Sequence, residues 1–160
     1  VEQAVSQLRA TSAALAALKL EMQSLASSLP EYPMVMRMFG VGPALGPQLM
    51  AEIGDVRRFH SKKALVAFAG IDALPYQSGQ MDIYSRSISK RGSASLRRTL
   101  FLLMGVYLPN APVNEPVYQF MDKKRSEGKP YKVYMMASAN KFLRVYYASV
   151  KAYLDALDEA

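Results

Sequence analysis

The sequence predicts an all-α fold: a long leading helix, two short helices around a glycine turn, a long basic loop and three closing helices. Apolar residues make up 51% of the 160 residues, which is enough for a hydrophobic core. They recur every three, four or seven residues along most of the chain, the spacing that places side chains on one face of a helix. Glycine and proline fall between these periodic segments, where helices end. There is no cysteine, so the chain has neither disulfides nor thiolate metal ligands.

Residues 1–29 are predicted to form one helix with a narrow apolar seam. An apolar residue recurs every seventh position from Val1 to Leu29, and a second series runs three residues further on, with Thr11 as its polar exception. This is the a/d pattern of a coiled coil. A helix packed on its own domain is the alternative, but so narrow a seam favours one partner helix. We therefore expect a coiled-coil connector over 1–29, a homo-oligomer formed through it, and a helical domain over 30–160.

A glycine turn between two helices is the clearest candidate contact site. A short helix over Tyr32–Met38 precedes it, Pro43 is predicted to open the next helix, and Gly54-Asp55 to end it. Glycine lets another backbone approach closely, and the free N–H groups at the next helix start favour a phosphate. A tight helix–helix turn is the alternative, but the pattern resembles the helix-hairpin-helix element of proteins that bind the DNA backbone. Its candidate contact residues are Phe39, Gly40, Val41 and Gly42.

Positive charge is concentrated in one part of the chain. The net charge is +7, and residues 55–100 carry nine basic and three acidic side chains. Such clustering indicates a polyanionic partner, and a basic surface kept for solubility is the alternative. Residues 71–92 are predicted to form a long irregular loop with a short strand near Met81–Ser85. Basic, hydroxyl and glycine residues alternate there, which suits phosphate oxygens, although a solvated loop explains the charge equally well. The candidate DNA-binding residues here are Lys62, Lys63, Gly79, Arg86, Ser89, Lys90, Arg91, Gly92, Arg97 and Arg98.

The remaining segments are predicted to be helical and to build the core. Ser61 is predicted to cap a helix that Gly70 ends, and Ser93 a helix that runs to about Leu108. Helices over 114–126 and 131–157 follow. Tyrosines of the last helix are interpreted as core or interface residues, because they fall at helical spacing.

No metal or acid–base centre is evident from the residues alone. The only histidine, His60, is interpreted as a surface loop residue. Asp55, Asp72 and Asp82 lie on helix ends and in the loop without the spacing of a two-metal site, which favours capping and turn formation.

Several short motifs, in this order along the chain, are similar to those of a known family. They are the Gly-Val-Gly-Pro hairpin, Leu49–Phe59, Lys63–Ile71, Gln77-Ser78-Gly79, Ile88–Gly92 and Leu96-Arg97-Arg98. Over roughly residues 34–155 they resemble the C-terminal domain of the insertion-sequence transposases related to the Piv DNA invertase. The resemblance implies that residues 1–29 are the connector to a first, RuvC-like domain with an Asp-Glu-Asp-Asp metal site, and that a structured bridge RNA guides the protein.

The resemblance also implies a catalytic residue. The family's second domain supplies a nucleophilic serine in a Ser-Gly motif, and Ser78 followed by Gly79 is the matching position. Attack on a phosphodiester needs an activating group and cations, for which Arg86, Lys90 and Arg91 are candidates. No local base is evident, which suits a site shared with an absent domain. Ser85, Ser87 and Ser89 are competing nucleophiles.

The expected function is that of the DNA-binding C-terminal part of a transposase or recombinase. Its expected partners are double-stranded DNA and, through the resemblance, a guide RNA. No cofactor is expected in this chain and Mg²⁺ only on the missing RuvC-like domain, so the fragment is not expected to cut DNA alone. Without a long apolar run or a signal peptide, we expect no membrane partner and a bacterial cytoplasmic, nucleoid-associated location. The alternatives are a non-catalytic helix-hairpin-helix DNA-binding module and a coiled-coil interaction domain.

Overall fold

The all-α prediction is confirmed by a computed structural model, which describes residues 1–72 and 87–159. Seven α-helices and one 3-10 turn account for the regular structure of these residues, and they contain no strand. The strand predicted near Met81–Ser85 lies outside the described residues. The elements are α1 (Glu2–Ser27), α2 (Tyr32–Met36), α3 (Leu45–Ile53), the 3-10 turn Val56–Arg58, α4 (Lys62–Ala69), α5 (Ala94–Asn110), α6 (Pro116–Ser126) and α7 (Tyr131–Asp158).

The last helix, α7, organises the core. It contacts α2, α4, α5, α6 and the 3-10 turn. Met135, Ala139, Phe142, Tyr146 and Val150 are spaced three or four residues apart, so they form one stripe, and all five are buried. The opposite face of α7 is left for contacts outside the core.

Several helix ends lie where their capping residues predict. The Ser61 hydroxyl accepts the Ala64 N–H at 3.2 Å at the start of α4, and the Ser93 hydroxyl accepts the Leu96 N–H at 3.1 Å at the start of α5. Gly70 ends α4 in the left-handed conformation. These predictions succeeded because each depends on a local hydrogen bond or a glycine that the sequence shows directly.

Other helix boundaries differ from those predicted, and among them α2 ends at Met36 and not at Met38. The prediction that Pro43 opens the next helix is wrong, because Pro43 lies in a turn closed by the Gly46 N–H and the Gly42 carbonyl, and α3 begins at Leu45. Helix α5 continues past Leu108 to Asn110, with Pro109 in its last turn. Helix α6 begins at Pro116 and not at Asn114, because the Glu115 carboxylate caps the Tyr118 N–H at 2.7 Å.

Helix α1 forms as predicted, but its apolar seam is exposed. Leu8, Leu15 and Leu18 are 67%, 52% and 58% exposed, and Ala26 is its one buried residue. Its contacts within the described chain are with α2 and α3. The rest of the described domain therefore packs against the end of α1 and leaves its apolar seam uncovered. The coiled coil stays a prediction.

Candidate nucleic-acid interface

The turn between α2 and α3 is anchored by its first half. Gly40 has a φ of 77°, and a Cβ there would lie 3.1 Å from Leu103 and 3.3 Å from the ring of Tyr107, both on α5. The Tyr107 hydroxyl donates to the Phe39 carbonyl at 3.1 Å, and the two rings meet edge to face with centroids 5.0 Å apart. Val41 is buried. Phe39, Gly40 and Val41 therefore hold the turn against α5.

The second half of the same turn is open. A Cβ on Gly42 would meet no atom of the described chain within 4 Å. The N–H groups of Ala44 and Leu45 have no backbone acceptor among the described residues, and no side chain caps α3. Such unpaired donors lie at the positive end of the helix dipole and suit an anion. If a phosphate binds here, it binds at Gly42 and the start of α3.

The basic run after the long loop is fixed to the end of α4. The Ser89 N–H donates to the Asp72 carbonyl at 2.9 Å, and its hydroxyl donates to the Asp72 carboxylate at 2.5 Å. The N–H of Lys90 donates to the Gly70 carbonyl at 3.0 Å. A Cβ on Gly92 would overlap the Phe68 carbonyl oxygen, so this position holds glycine for close packing. Ser89 and Gly92 thus have structural contacts of their own.

The predicted DNA-contacting cations divide into buried and free groups. One guanidinium nitrogen of Arg97 donates to the Ala69 carbonyl at 3.0 Å and lies 3.4 Å from those of Gly92 and Ser93, so this half-buried side chain ties α5 to the end of α4. The other predicted cations of the described chain are exposed and form no ion pair with another described residue. They are Lys62, Lys63, Lys90, Arg91 and Arg98. The described structure therefore assigns the free charge to this second set.

Two of these exposed cations, Lys62 and Lys90, line a groove together with residues of α7. Its volume is about 1170 Å³, and Lys62, Ser87 and Lys90 line it together with the outward face of α7. Three cations of α7 also line it, and none was among the predicted site residues: Lys132, Lys141 and Arg144. Their only signal in the sequence is a position off the buried stripe, which a solvated helix face shows as well. Sequence reasoning therefore missed them.

The catalytic candidate lies outside the described residues. Ser78 and Gly79 fall there, as do Ser85, Arg86 and Asp82. Both ends of this stretch are described, since Asp72 pairs with Ser89 and Ser87 lines the groove. The segment that contains Ser78 therefore leaves and rejoins the described chain beside the groove.

Asp55 and Asp72, the two described acids among those considered from the sequence, both have local structural contacts. Asp55 caps the 3-10 turn by accepting the Arg57 N–H at 2.8 Å, and hydrogen bonds from Arg57 lower the pKa of its carboxyl. Arg57 also pairs with Asp158 at 2.6 Å. His60 is exposed. Residues 1–72 and 87–159 contain no group of three or more histidine or acidic side chains placed to hold a metal ion. No helix within these ranges combines the length and apolar character needed to cross a bilayer.

Sequence comparison places the chain among the transposases. A family model described as "Transposase IS116/IS110/IS902 family" matches residues 32–115, which include α2 to α5. The chain belongs to this family, and the resemblance inferred from its motifs is confirmed.

Curated proteins similar to the chain carry consistent names. A putative transposase y4rJ of Sinorhizobium fredii is 30% identical over 101 residues, which are 62% of this chain and 25% of that protein. The pilin gene-inverting protein of Moraxella bovis is 31% identical over 116 residues, 70% of this chain and 34% of that protein. The transposase for insertion sequence element IS1111A of Coxiella burnetii is 31% identical over 80 residues, 50% and 22% respectively. The chain thus spans between 22% and 34% of the length of these relatives.

Proposed function

We propose that this chain is the DNA-binding, serine-bearing C-terminal part of a transposase that rearranges DNA. The observation that carries the proposal is a set of five exposed cations that form no ion pair among the described residues, Lys62, Lys63, Lys90, Arg91 and Arg98. Two of them, Lys62 and Lys90, line the same groove as Ser87, which follows the segment that contains Ser78. Lysine and arginine there suit phosphate oxygens of double-stranded DNA. The relatives named as transposases and a pilin gene-inverting protein support the same partner.

Helix stability does not explain the placement of these charges. Lys62 and Lys63 lie in the first turn of α4, where a cation opposes the positive end of the helix dipole. There is no acid in that turn to compensate. A bound phosphate would be favoured by both the dipole and the lysines.

The hairpin turn is proposed to position the DNA backbone as a helix-hairpin-helix unit. The open space at Gly42 and the unpaired N–H groups of Ala44 and Leu45 support this role. Their contact would be independent of sequence, since phosphates carry no base information. A non-catalytic DNA-binding module of this kind is the second candidate function, and it is favoured by the same turn.

The proposed chemistry is attack by the Ser78 hydroxyl on a phosphodiester. The Ser78 hydroxyl loses its proton as the Oγ–P bond forms, and the P–O3′ bond breaks. The leaving 3′ oxygen gains a proton, so the proton count balances, and the strand is left joined to the serine through its 5′ phosphate. Lys90 and Arg91 would stabilise the charge that develops on the phosphoryl oxygens. Mg²⁺ is proposed only for the RuvC-like domain that the resemblance implies, and no step here depends on it.

Substitution of the serine tests the catalytic proposal against the binding-module alternative. In the complete transposase, Ser78→Ala is expected to abolish DNA strand exchange, measured by product formation on a paired-site plasmid, while duplex affinity changes less than about twofold. Ser95→Ala, at an exposed position of α5 outside the groove, is the matched control and should keep activity. Unchanged strand exchange in Ser78→Ala would reject Ser78 as the nucleophile and favour the non-catalytic module.

Two further partners are proposed on narrower grounds. The exposed seam of α1 supports a homo-oligomer formed through a coiled coil. A guide RNA is proposed from the family resemblance alone, and its contacts are left to experiment.

A further inference from the structure

The groove beside α7 combines a cationic rim with an apolar floor. Lys62 comes from α4, Lys90 from the run that follows the loop, and Lys132, Lys141 and Arg144 from α7, so three separate parts of the chain supply the five charges. None of the described lining residues is acidic. The described ion pairs involve other cations, at Arg57, Lys124 and Lys151. The five charges are therefore available to an anionic ligand.

Two of these cations lie at positions that are unfavourable for the helices themselves. Lys132 lies in the first turn of α7 and Lys62 in that of α4, and neither turn contains an acid. Both oppose the helix dipole. The Nε of Arg144 donates to the Asn140 amide oxygen at 2.8 Å, which orients the guanidinium. Its other nitrogens have no hydrogen-bond partner among the described residues. A shared polyanion would account for charges that local structure does not need.

The apolar floor of the groove favours an unpaired strand over a double helix. It contains two half-buried aromatic rings, Phe101 and Phe120, together with Met136, Val145 and Ala148. The outside of a double helix presents phosphates and sugars, which have little to gain from an apolar floor. An unpaired strand can place its phosphates on the rim and the faces of its bases on the rings.

We propose that this groove binds an unpaired stretch of DNA strand, held through Lys132, Lys141 and Arg144 at the rim and by stacking on Phe101 and Phe120. The proposal rests on the function proposed above, because strand exchange must separate DNA strands beside the reacting phosphate. It assigns α7, which lies beyond the residues matched by the family model, a part in holding DNA. The duplex would be held elsewhere, at the hairpin turn and at Lys63, Arg91 and Arg98.

Fluorescence anisotropy with labelled oligonucleotides tests this assignment on the 160-residue chain. The probes are a 20-nucleotide oligothymidine, a duplex of the same length and an oligouridine. Lys141→Gln/Arg144→Gln is expected to weaken oligothymidine binding about tenfold and to reduce its log–log salt slope by roughly 1.4, from about 0.7 per lost phosphate contact on a single strand. Duplex affinity should change less than about threefold. Phe120→Leu, which keeps an apolar side chain without a π face, should weaken oligothymidine at least about fivefold.

The matched control is Lys123→Gln/Arg125→Gln, which removes the same charge from exposed positions at the end of α6 outside the groove. Equal losses in the control and groove variants would overturn the proposal in favour of nonspecific charge. Preference for oligouridine through the same residues would overturn the assignment to DNA. Unaltered oligothymidine affinity in the groove variants would overturn the assignment of the strand to this groove. Failure of the unsubstituted chain to bind any of the probes would reject the proposed function itself.

Discussion

Because Gly92 has no side chain, the basic run that contains Lys90 and Arg91 can pack closely against the end of α4. The backbone of Gly92 approaches the Phe68 carbonyl so closely that no Cβ fits, and a Cβ on Gly70 would lie 2.7 Å from the Gly92 nitrogen. Two glycines far apart in sequence thus allow one close backbone contact. The sequence shows both glycines, but only the fold shows that they face each other.

Alanine at Gly92 should destabilise the domain. The added Cβ must displace backbone and not a flexible side chain, so we expect the free energy of unfolding to fall by about 1–3 kcal/mol or more. Urea denaturation followed by circular dichroism measures this. Gly105→Ala is the control, because that exposed helical position has open space and should gain up to about 1 kcal/mol. Equal stability of the two variants would contradict the close approach.

Two buried tyrosines should respond oppositely to loss of their hydroxyl groups. The Tyr107 hydroxyl donates to the Phe39 carbonyl, so Tyr107→Phe should cost about 1 kcal/mol and loosen the hairpin turn. The Tyr146 hydroxyl is buried without a hydrogen-bond partner among the described residues, so Tyr146→Phe should be neutral or gain about 1 kcal/mol. Thermal denaturation compares the pair, and a larger loss in Tyr146→Phe would contradict the assignment.

The same phenols predict a loss of stability in alkali. Burial, and secondarily the charge of Glu115 or Glu31, raises the pKa of Tyr107 and Tyr146 above the ordinary value. A raised folded-state pKa means that the stabilisation is complete below about pH 10, where the unfolded phenol ionises, and is lost as the pH rises further. Melting temperatures from pH 8 to 11 should fall less steeply in Tyr146→Phe, and parallel curves would count against this account.

At the scale of elements, α1 and α7 both present a face that the described domain does not cover. The seam of α1 is apolar and narrow, whereas the open face of α7 carries Lys132, Lys141 and Arg144 above an apolar floor. The chemistry of the two faces therefore suits different partners: another helix for α1 and a polyanion for α7.

The seam of α1 should drive self-association. Leu8→Glu/Leu15→Glu places charges at two exposed a positions, and sedimentation should show loss of the oligomer without loss of folded domain, because these residues have no buried role in the described chain. Ser6→Glu/Ala13→Glu adds the same charge on the opposite face and should leave the oligomer intact. Identical masses for both variants and the unsubstituted chain would rule out association through this seam.

At the scale of the whole molecule, the excess of positive charge should govern binding to duplex DNA. A protein that neutralises a few phosphates loses affinity steeply with salt, so we expect a log–log slope of roughly −3 to −5, at about −0.9 per phosphate. Lys63→Gln/Arg98→Gln should make the slope shallower by up to roughly 1.8. Titrations between low and physiological salt measure it, and salt-insensitive or undetectable binding would reject the proposed DNA partner.

The sequence by itself determined the helices, most of their caps and the family. Heptads, capping serines and ending glycines act over a few residues, so Ser61, Gly70 and Ser93 could be assigned from local rules. The motif order was sufficient to identify the family because it spans the matched region. Pro43 was misplaced because a proline is equally at home in a turn and in a first helical position, and the choice between them depends on how the hairpin docks on α5.

Only the tertiary structure decided which basic residues are free. Lys62, Lys90 and Arg97 look alike along the chain, yet Arg97 is occupied by backbone carbonyls of the α4 end, whereas the other two line the groove. The cations of α7 join them from more than 40 positions away, at a distance in sequence that no local pattern can bridge. Helix caps and apolar periodicity depend on residues that are close in sequence, so the fold was predictable. The grouping of charges around a groove depends on long-range packing, so this part of the candidate site was not.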